Sequence, residues 1–284
     1  MNPQQQADEG RLFSGTLLRS ERITPTSSPE EVHNLVFRTD DRSFDGRTGQ
    51  CVRVLAPGKF GNKYHTRLYS LAEVEEGEQD STEFTLCVRR CHYVDDFNGQ
   101  EYPGVASNYL CDLRLGMEIP FSGPLGYPFA VPDSPQADIL MIGMGTGIAP
   151  FRGLIRLIYE KIGGWKGRVR LFYGARSGLE MLYMNEENDD LANYYDQPTF
   201  KAFQAVSPRP ALGAPVALDK ALVHNAAEVW EMVQSPATHV FIAGTHDMLA
   251  GVDKAMTTLA GSAARWAEVR QALADGGRWH ELLY

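Results

Sequence analysis

The chain has 284 residues, of which 43% are hydrophobic, 22% charged and 10% aromatic, with a formal net charge of −9. At roughly 150 residues per domain this length suggests two domains, and the acidic balance speaks against broad nucleic-acid binding, which needs a basic footprint. The four cysteines, Cys51, Cys87, Cys91 and Cys111, have no C-x-x-C spacing, so buried free thiols are expected, with no metal or iron–sulfur site.

Taken in chain order, residues 1–6 carry no signal-peptide pattern. No apolar run approaches the roughly 20 residues needed to span a bilayer. A cytoplasmic protein without a membrane partner is therefore expected. Short β-rich segments follow at 12–23, 33–39, 51–55, 64–71, 83–90 and 117–122, separated by turn-prone stretches such as 45–49 and 56–58. Regularly spaced short strands suggest an antiparallel barrel, interrupted by one helix at 107–113. The Val-Pro-Asp-Ser-Pro connector at 131–135 marks a boundary, dividing the chain into 1–134 and 135–284. Beyond it the rhythm becomes strand–helix. Strands are expected at 137–142, 168–173, 199–206 and 239–243, and helices at 147–159, 186–195, 221–233, 248–259 and 264–274. Such alternation implies a parallel sheet covered on both faces. The basic groups Arg89-Arg90 and Lys166 with Arg168 and Arg170 read as solvated surface.

Two motifs carry chemistry. The first is Ile142-Gly143-Met144-Gly145-Thr146-Gly147-Ile148-Ala149-Pro150-Phe151-Arg152, between an apolar run and a helical pattern. Strand, glycine turn and helix together let backbone N–H groups approach a pyrophosphate at a helix N-terminus. The same glycine spacing also occurs in tight turns that bind nothing. The second is Arg67-Leu68-Tyr69-Ser70, where alternation puts Arg67 and Tyr69 on one strand face. A cation beside an aromatic ring suits a ligand with phosphates and a flat heterocycle, and equally suits a half-buried barrel surface.

In order and spacing, Arg67-Leu68-Tyr69-Ser70, Leu86-Cys87-Val88-Arg89-Arg90 with Tyr93, Gly104-Val105-Ala106-Ser107-Asn108-Tyr109-Leu110, the turn from Gly145 to Arg152 and the terminal Tyr284 together resemble the plant-type ferredoxin–NADP reductase family. The resemblance implies an antiparallel β-barrel FAD domain followed by an α/β parallel-sheet NADP domain. It implies that Arg67 neutralises the FAD pyrophosphate, that Ser107 binds phosphate at a helix start, and that Tyr69 and Tyr284 stack on the isoalloxazine. Ser70 would lie beside flavin N5 and Tyr93 on the adenine, with Cys87, Arg89, Gly104, Val105 and Ala106 completing the FAD contacts. Gly145, Thr146 and Gly147 would hold the pyridine nucleotide. Arg176, Ser207 and Arg209 would read the 2′-phosphate, favouring NADPH over NADH. Pro208 separates Ser207 from Arg209, where the family has Ser-Arg.

Two departures bear on the chemistry. Ala243-Gly244 stands where the family has Cys-Gly, and Glu281 lies one residue further from the terminal aromatic than the family's glutamate. Ser70, Tyr284 and, less directly, Glu281 are the catalytic candidates. The segment from Phe172 to Tyr183, the Ser207-Pro208-Arg209-Pro210 loop and the Glu281-Leu282-Leu283-Tyr284 tail look like the reductase component of benzoyl-CoA oxygenase systems. No ferredoxin-like domain is expected here, so the implied electron acceptor is a separate ferredoxin, flavodoxin or oxygenase component, with Arg89-Arg90 and Arg114 as candidate docking groups. The alternative is a flavin-binding electron-relay or regulatory subunit with little diaphorase activity.

Overall fold

In the computed structural model the described residues are 11–58, 61–95, 97–209, 212 and 216–284. The residues of the 1–6 reading, Lys59 and Phe60 of the loop before Arg67, and Pro210 lie outside them. The chain divides into two compact units, one ending at Phe129 and one running from Ala130 to Tyr284.

The first unit is a closed antiparallel barrel of strands β1 (Leu12–Arg22), β2 (Val32–Thr39), β3 (Cys51–Pro57), β4 (Tyr64–Glu76), β5 (Thr82–Arg89) and β8 (Glu118–Leu125), ordered β1-β2-β5-β4-β3-β8. Alternation turns Phe13, Leu17, Phe37, Val52, Val54, Phe84, Leu86 and Phe121 inward. Aromatic rings fill the lumen, with Phe84 and Phe121 centroids 5.1 Å apart. Strand β4 runs five residues beyond its expected end at Leu71, through a bulge at Leu71/Glu73. A hairpin of β6 (His92–Val94) and β7 (Glu101–Pro103) was not legible in the sequence, because three-residue strands carry too little alternation. Helix α1 (Val105–Cys111) packs on β3, β4 and β5.

The second unit is a parallel sheet of β9 (Asp138–Met144), β10 (Val169–Ala175), β11 (Phe200–Val206), β12 (Thr238–Gly244) and β13 (Trp279–Leu283), ordered β11-β10-β9-β12-β13. The helices are α2 (Ile148–Arg156), α3 (Leu218–His224), α4 (Ala226–Gln234), α5 (His246–Ala260) and α6 (Ala263–Asp275). The tail that carries Glu281 and leads to Tyr284 is thus a strand, β13, on the sheet edge. The helix expected at 186–195 is reduced to a 3-10 turn over Asp190–Tyr194. The Asn185 side chain accepts from Glu187 and Asn188 N–H, a local bond that competes with helix. The helix expected at 221–233 breaks at Asn225. Arg168 and Arg170 are not solvated surface: Arg168 pairs with Asp138 at 2.6 Å, and Arg170, 5% exposed, pairs with Glu228 at 2.7 Å. None of the four cysteines is disulfide-bonded, and all are partly exposed rather than fully buried. No helix among the described residues is long and apolar enough to cross a membrane.

On one face of β12 and β13 the rings of His239, His280 and Phe241 form a stack, with His280 4.5 Å from Phe241 and 5.8 Å from His239. Burial, aided by the neighbouring His239, lowers the His280 pKa to about 4. Burial and Arg278 lower His239, against a raising effect from Asp133. The fold therefore holds His280 neutral while the unfolded chain binds a proton below pH about 6.5. Stability is complete above that pH and falls as the pH drops towards about 4. His280→Phe should remove a loss on the order of 1–2 kcal/mol, after allowing for solvent screening of this partly exposed ring. Urea unfolding at pH 7 and pH 4.5 measures it; an acid loss unchanged in the variant rejects the assignment.

Candidate functional site

In the barrel unit, Arg67 and Tyr69 pair with Val54 and Val52 on the inward face of β4. Tyr69 packs half-buried on the core, and Arg67 is exposed. Burial, with Cys91 and Cys111 nearby, pushes the Tyr69 hydroxyl well above its ordinary range, so the ring stays neutral. Burial likewise pushes the Cys111 thiol up to about 12, which makes it inert. Ser70 lies on the other face, its Oγ 3.8 Å from Cys51 Sγ.

Helix α1 begins two residues earlier than expected, at Val105, with Gly104 as its N-cap. Ser107 therefore sits inside the first turn rather than opening the helix. Its Oγ accepts the Cys91 N–H at 3.1 Å, which leaves its own O–H to donate. A Cβ at Gly104 would approach Ser107 Oγ to 3.0 Å and the Cys91 carbonyl to 3.1 Å, so the helix start is pressed against the chain after β5. The N–H groups of Val105, Ala106 and Ser107 are first-turn donors, which an α-helix leaves without intrahelical partners.

The residue that ties this region together is Arg90, which is mostly buried and paired rather than solvated surface. It donates to Glu31 at 3.0 Å, Asn108 at 2.9 Å and Asp112 at 2.9 Å. Against a burial penalty, hydrogen bonds from Arg90 and His33 hold Glu31 below the usual carboxylate range. Asn108 completes the join by donating to the Cys91 and Gly104 carbonyls. Arg89 turns instead to Glu30, at 3.5 Å. Cys87 stands on the opposite face of β5 from the core residues Leu86 and Val88, so its side chain does not join Tyr69. Tyr93, half-exposed, stacks on Tyr102 across the β6–β7 hairpin at 5.8 Å. Arg67, Tyr69 and the first turn of α1 offer a cation, a flat neutral ring and N–H donors, which fit a flavin nucleotide.

In the sheet unit, β9 has β10 on one side and β12 on the other, so successive connections leave it in opposite directions. Ligands bind at such a switch point, beyond the carboxyl ends of the strands. Gly145–Gly147 forms a 3-10 turn there and leads into α2. Gly145 has φ +57°, in the left-handed region. A Cβ at Gly147 would lie 2.3 Å from the Ala243 carbonyl oxygen and 2.8 Å from Gly244 N, so only glycine lets the turn close onto β12. The Thr146 and Tyr284 hydroxyls are 2.8 Å apart, and the Tyr284 N–H donates to the Gly244 carbonyl at 3.0 Å. A fully buried tyrosine, Tyr173, supports the turn by donating to the Gly145 carbonyl at 3.0 Å and accepting from Leu182 N–H at 3.3 Å. The sequence signals Tyr173 only as one more apolar residue of a buried strand.

Arg176 and Ser207 follow the carboxyl ends of β10 and β11, with Arg209 two residues further on. Arg176 and Arg209 are exposed, and Ser207 is buried, its Oγ accepting from Arg209 N–H at 3.4 Å. Cations and a hydroxyl on the sheet edge that carries the glycine turn fit a phosphorylated dinucleotide. Glu281 is not brought to Tyr284: on β13 it faces α6 and pairs with Arg270 at 2.8 Å. The one-residue shift seen in the sequence turns it to the other face of the strand.

Comparison with known proteins agrees with this geometry. The family described as an oxidoreductase NAD-binding domain matches residues 141–254. The chloroplastic ferredoxin–NADP reductase, leaf isozyme 1, of Oryza sativa subsp. indica is 33% identical over 281 residues, 96% of this chain and 76% of that protein. The ferredoxin–NADP reductase of Spirulina sp is 30% identical over 281 residues, 96% of this chain and 95% of that one. The structure of ferredoxin-NADP+ reductase from Plasmodium falciparum with 2'P-AMP superposes with a TM-score of 0.71 at 16% identity, over 96% of each chain, which shows a common fold. With a closed antiparallel barrel, a glycine turn at the switch point of a parallel sheet, and relatives of this identity along nearly its whole length, the chain belongs to the ferredoxin–NADP reductase family.

Proposed function

We propose that the protein is an FAD-dependent reductase that moves electrons between NADPH and a separate ferredoxin. The observation that carries this reading is the Gly145–Gly147 turn, closed onto the Ala243 backbone at the switch point and capped by the Tyr284 hydroxyl on Thr146. Bound there, FAD would supply the chemistry of hydride acceptance and one-electron release.

The chain's own residues position and neutralise. Arg67 and the first turn of α1 offset phosphate charge, while Tyr69 presents a neutral ring face for stacking. Ser70 supplies a hydroxyl one residue further along the same strand. The N–H groups of the glycine turn receive the dinucleotide's pyrophosphate. Arg176, Ser207 and Arg209 select NADPH over NADH through the 2′-phosphate, with Arg the side chain best shaped for it. Tyr284 covers Thr146, so a nicotinamide that reaches Thr146 displaces it. Ala243, in place of a thiol, leaves ring placement to the turn and the tyrosine. A cytoplasmic setting accompanies this reading.

Purified protein loaded with FAD should be yellow and should oxidise NADPH rapidly with ferricyanide, faster than NADH. A yellow protein silent in that assay supports the electron-relay reading, and a colourless one that takes up no FAD rejects both. Reduction of ferredoxin, flavodoxin and an oxygenase component in parallel then identifies the acceptor. The oxygenase is included because the segment from Phe172 to Tyr183 resembles the reductase of benzoyl-CoA oxygenase systems.

A further inference from the structure

Strand β13 is short and lies at the edge of its sheet, pairing with β12 alone among the described residues. Its register nonetheless decides where the lid sits, because Tyr284 follows it directly and meets Thr146 at 2.8 Å. A slip of two residues would keep the same faces and carry the tyrosine about 7 Å along the strand. A slip of one would turn every side chain to the wrong face.

Besides its ladder with β12 and the packing of Trp279 and Leu283 on the core, the strand is tied by a polar chain on its helix-facing side. Asp253 of α5 accepts from Arg270 Nη1 at 3.1 Å and from the Trp266 indole at 2.9 Å. Arg270 of α6 reaches onward with Nη2 to Glu281 of β13 at 2.8 Å. The Trp279 indole also donates to Glu281, and the Arg270 guanidinium lies 5.1 Å over the Trp279 ring. Two indoles and one guanidinium thus converge on two carboxylates contributed by different elements. In any other register Glu281 loses Arg270.

We infer that Asp253, Arg270 and Glu281 form a latch that sets the register of β13 and thereby holds Tyr284 on Thr146, making Arg270 and Glu281 positioning residues for the nucleotide site. The shifted glutamate has exchanged a place beside the terminal aromatic for a place that steers it. The part concerning NADP+ rests on the function proposed above; the part concerning strand register does not.

The test uses the FAD-loaded full chain with Glu281→Gln, which keeps the shape and the Trp279 acceptor but removes the charge, and Arg270→Gln as a second variant. Each is combined with a chain lacking Tyr284. Loosening the lid enlarges the fraction of molecules open to nucleotide. NADP+ affinity by calorimetric titration should therefore rise about 3- to 10-fold in the latch variants. The same substitutions should have no effect where Tyr284 is absent, the non-additivity expected of coupled residues. Equal effects in both backgrounds, or none in the full chain, overturn the latch. If no chain binds NADP+, the nucleotide reading fails separately, and amide exchange decides the latch: faster exchange at Leu283 and Tyr284 in Glu281→Gln supports it, and unchanged exchange overturns it.

Discussion

Gly147→Ala should weaken NADPH binding by about 100-fold or more and destabilise the sheet unit. The backbone of Gly147 is already helical, with φ −62° and ψ −14°, so alanine suffers no conformational penalty there. The penalty is contact. The new Cβ would lie 2.3 Å from the Ala243 carbonyl oxygen, 2.5 Å from its carbon and 2.8 Å from Gly244 N. All three are main-chain atoms of a central strand, so none can swing aside as the end of a side chain would. The turn must lift off β12, at a cost of about 2–3 kcal/mol of overpacking. The N–H groups that receive the pyrophosphate leave their positions with it, and a loss of 100-fold or more in affinity corresponds to about 2.7 kcal/mol. Gly145→Ala is the control. Its φ of +57° adds strain of about 1–2 kcal/mol, but the nearest atom to the new Cβ, the Tyr284 hydroxyl, is 3.7 Å away. Urea unfolding and NADP+ titration should rank wild type above Gly145→Ala above Gly147→Ala. Wild-type affinity in Gly147→Ala would refute the placement of the nucleotide.

The second large effect is expected at Arg90. Its side chain is 19% exposed and serves Glu31, Asn108 and Asp112 at once. Arg90→Leu leaves Glu31, itself 31% exposed, with His33 at 2.9 Å but without its guanidinium. Breaking a partly buried ion pair by removing one partner costs about 2–4 kcal/mol, below the fully buried case because both groups retain some solvent. The consequence for function runs through Cys91, the next residue, whose N–H and carbonyl hold Ser107 and Asn108 of α1. Loss of Arg90 should free the start of α1 and lower FAD retention at least 10-fold, read from flavin absorbance after gel filtration. An Arg90→Leu protein that stays fully yellow and melts with the wild type would show that the network is incidental. The pH dependence has a definite sign. Glu31 has its pKa lowered in the fold, so its contribution is present above about 4.5 and is lost as the pH falls through the folded value. That acid sensitivity should be weaker in Arg90→Leu.

Arg90 and Glu281 show where the sequence stops being informative. Both domains were legible because their hydrophobic rhythms differ: inward residues such as Val52 and Val54 alternate, whereas every residue of β10 is buried. The glycine turn was legible because strand, glycines and helix are contiguous. Arg90 was not, because its partners lie just before β2, within α1 and just after it, and a run of two arginines looks alike whether solvated or paired. Arg170 misled in the same way, since its partner Glu228 lies 58 residues away. Glu281 could be recognised as displaced, but its partner could not be named, because the placement of α6 against β13 is a tertiary fact. Ser107 was assigned to the correct helix and the wrong position in it, since Gly104 and not the hydroxyl residue provides the cap.

The closure of the barrel has a kinetic side. Strand β8 is hydrogen-bonded to both β1 and β3, joining Thr16 to Glu118 and Cys51 to Leu125. Until β8 arrives, β1 and β3 each present an unpaired edge, the kind of surface that recruits strands from other molecules. Joining segments so distant in the chain spends loop-closure entropy before any contact repays it, which places this unit among the slow, non-local folders. The arrival of β8 is thus the step at which folding and aggregation compete, and conditions that delay it should lower the yield of active protein without altering the stability of the molecules that succeed.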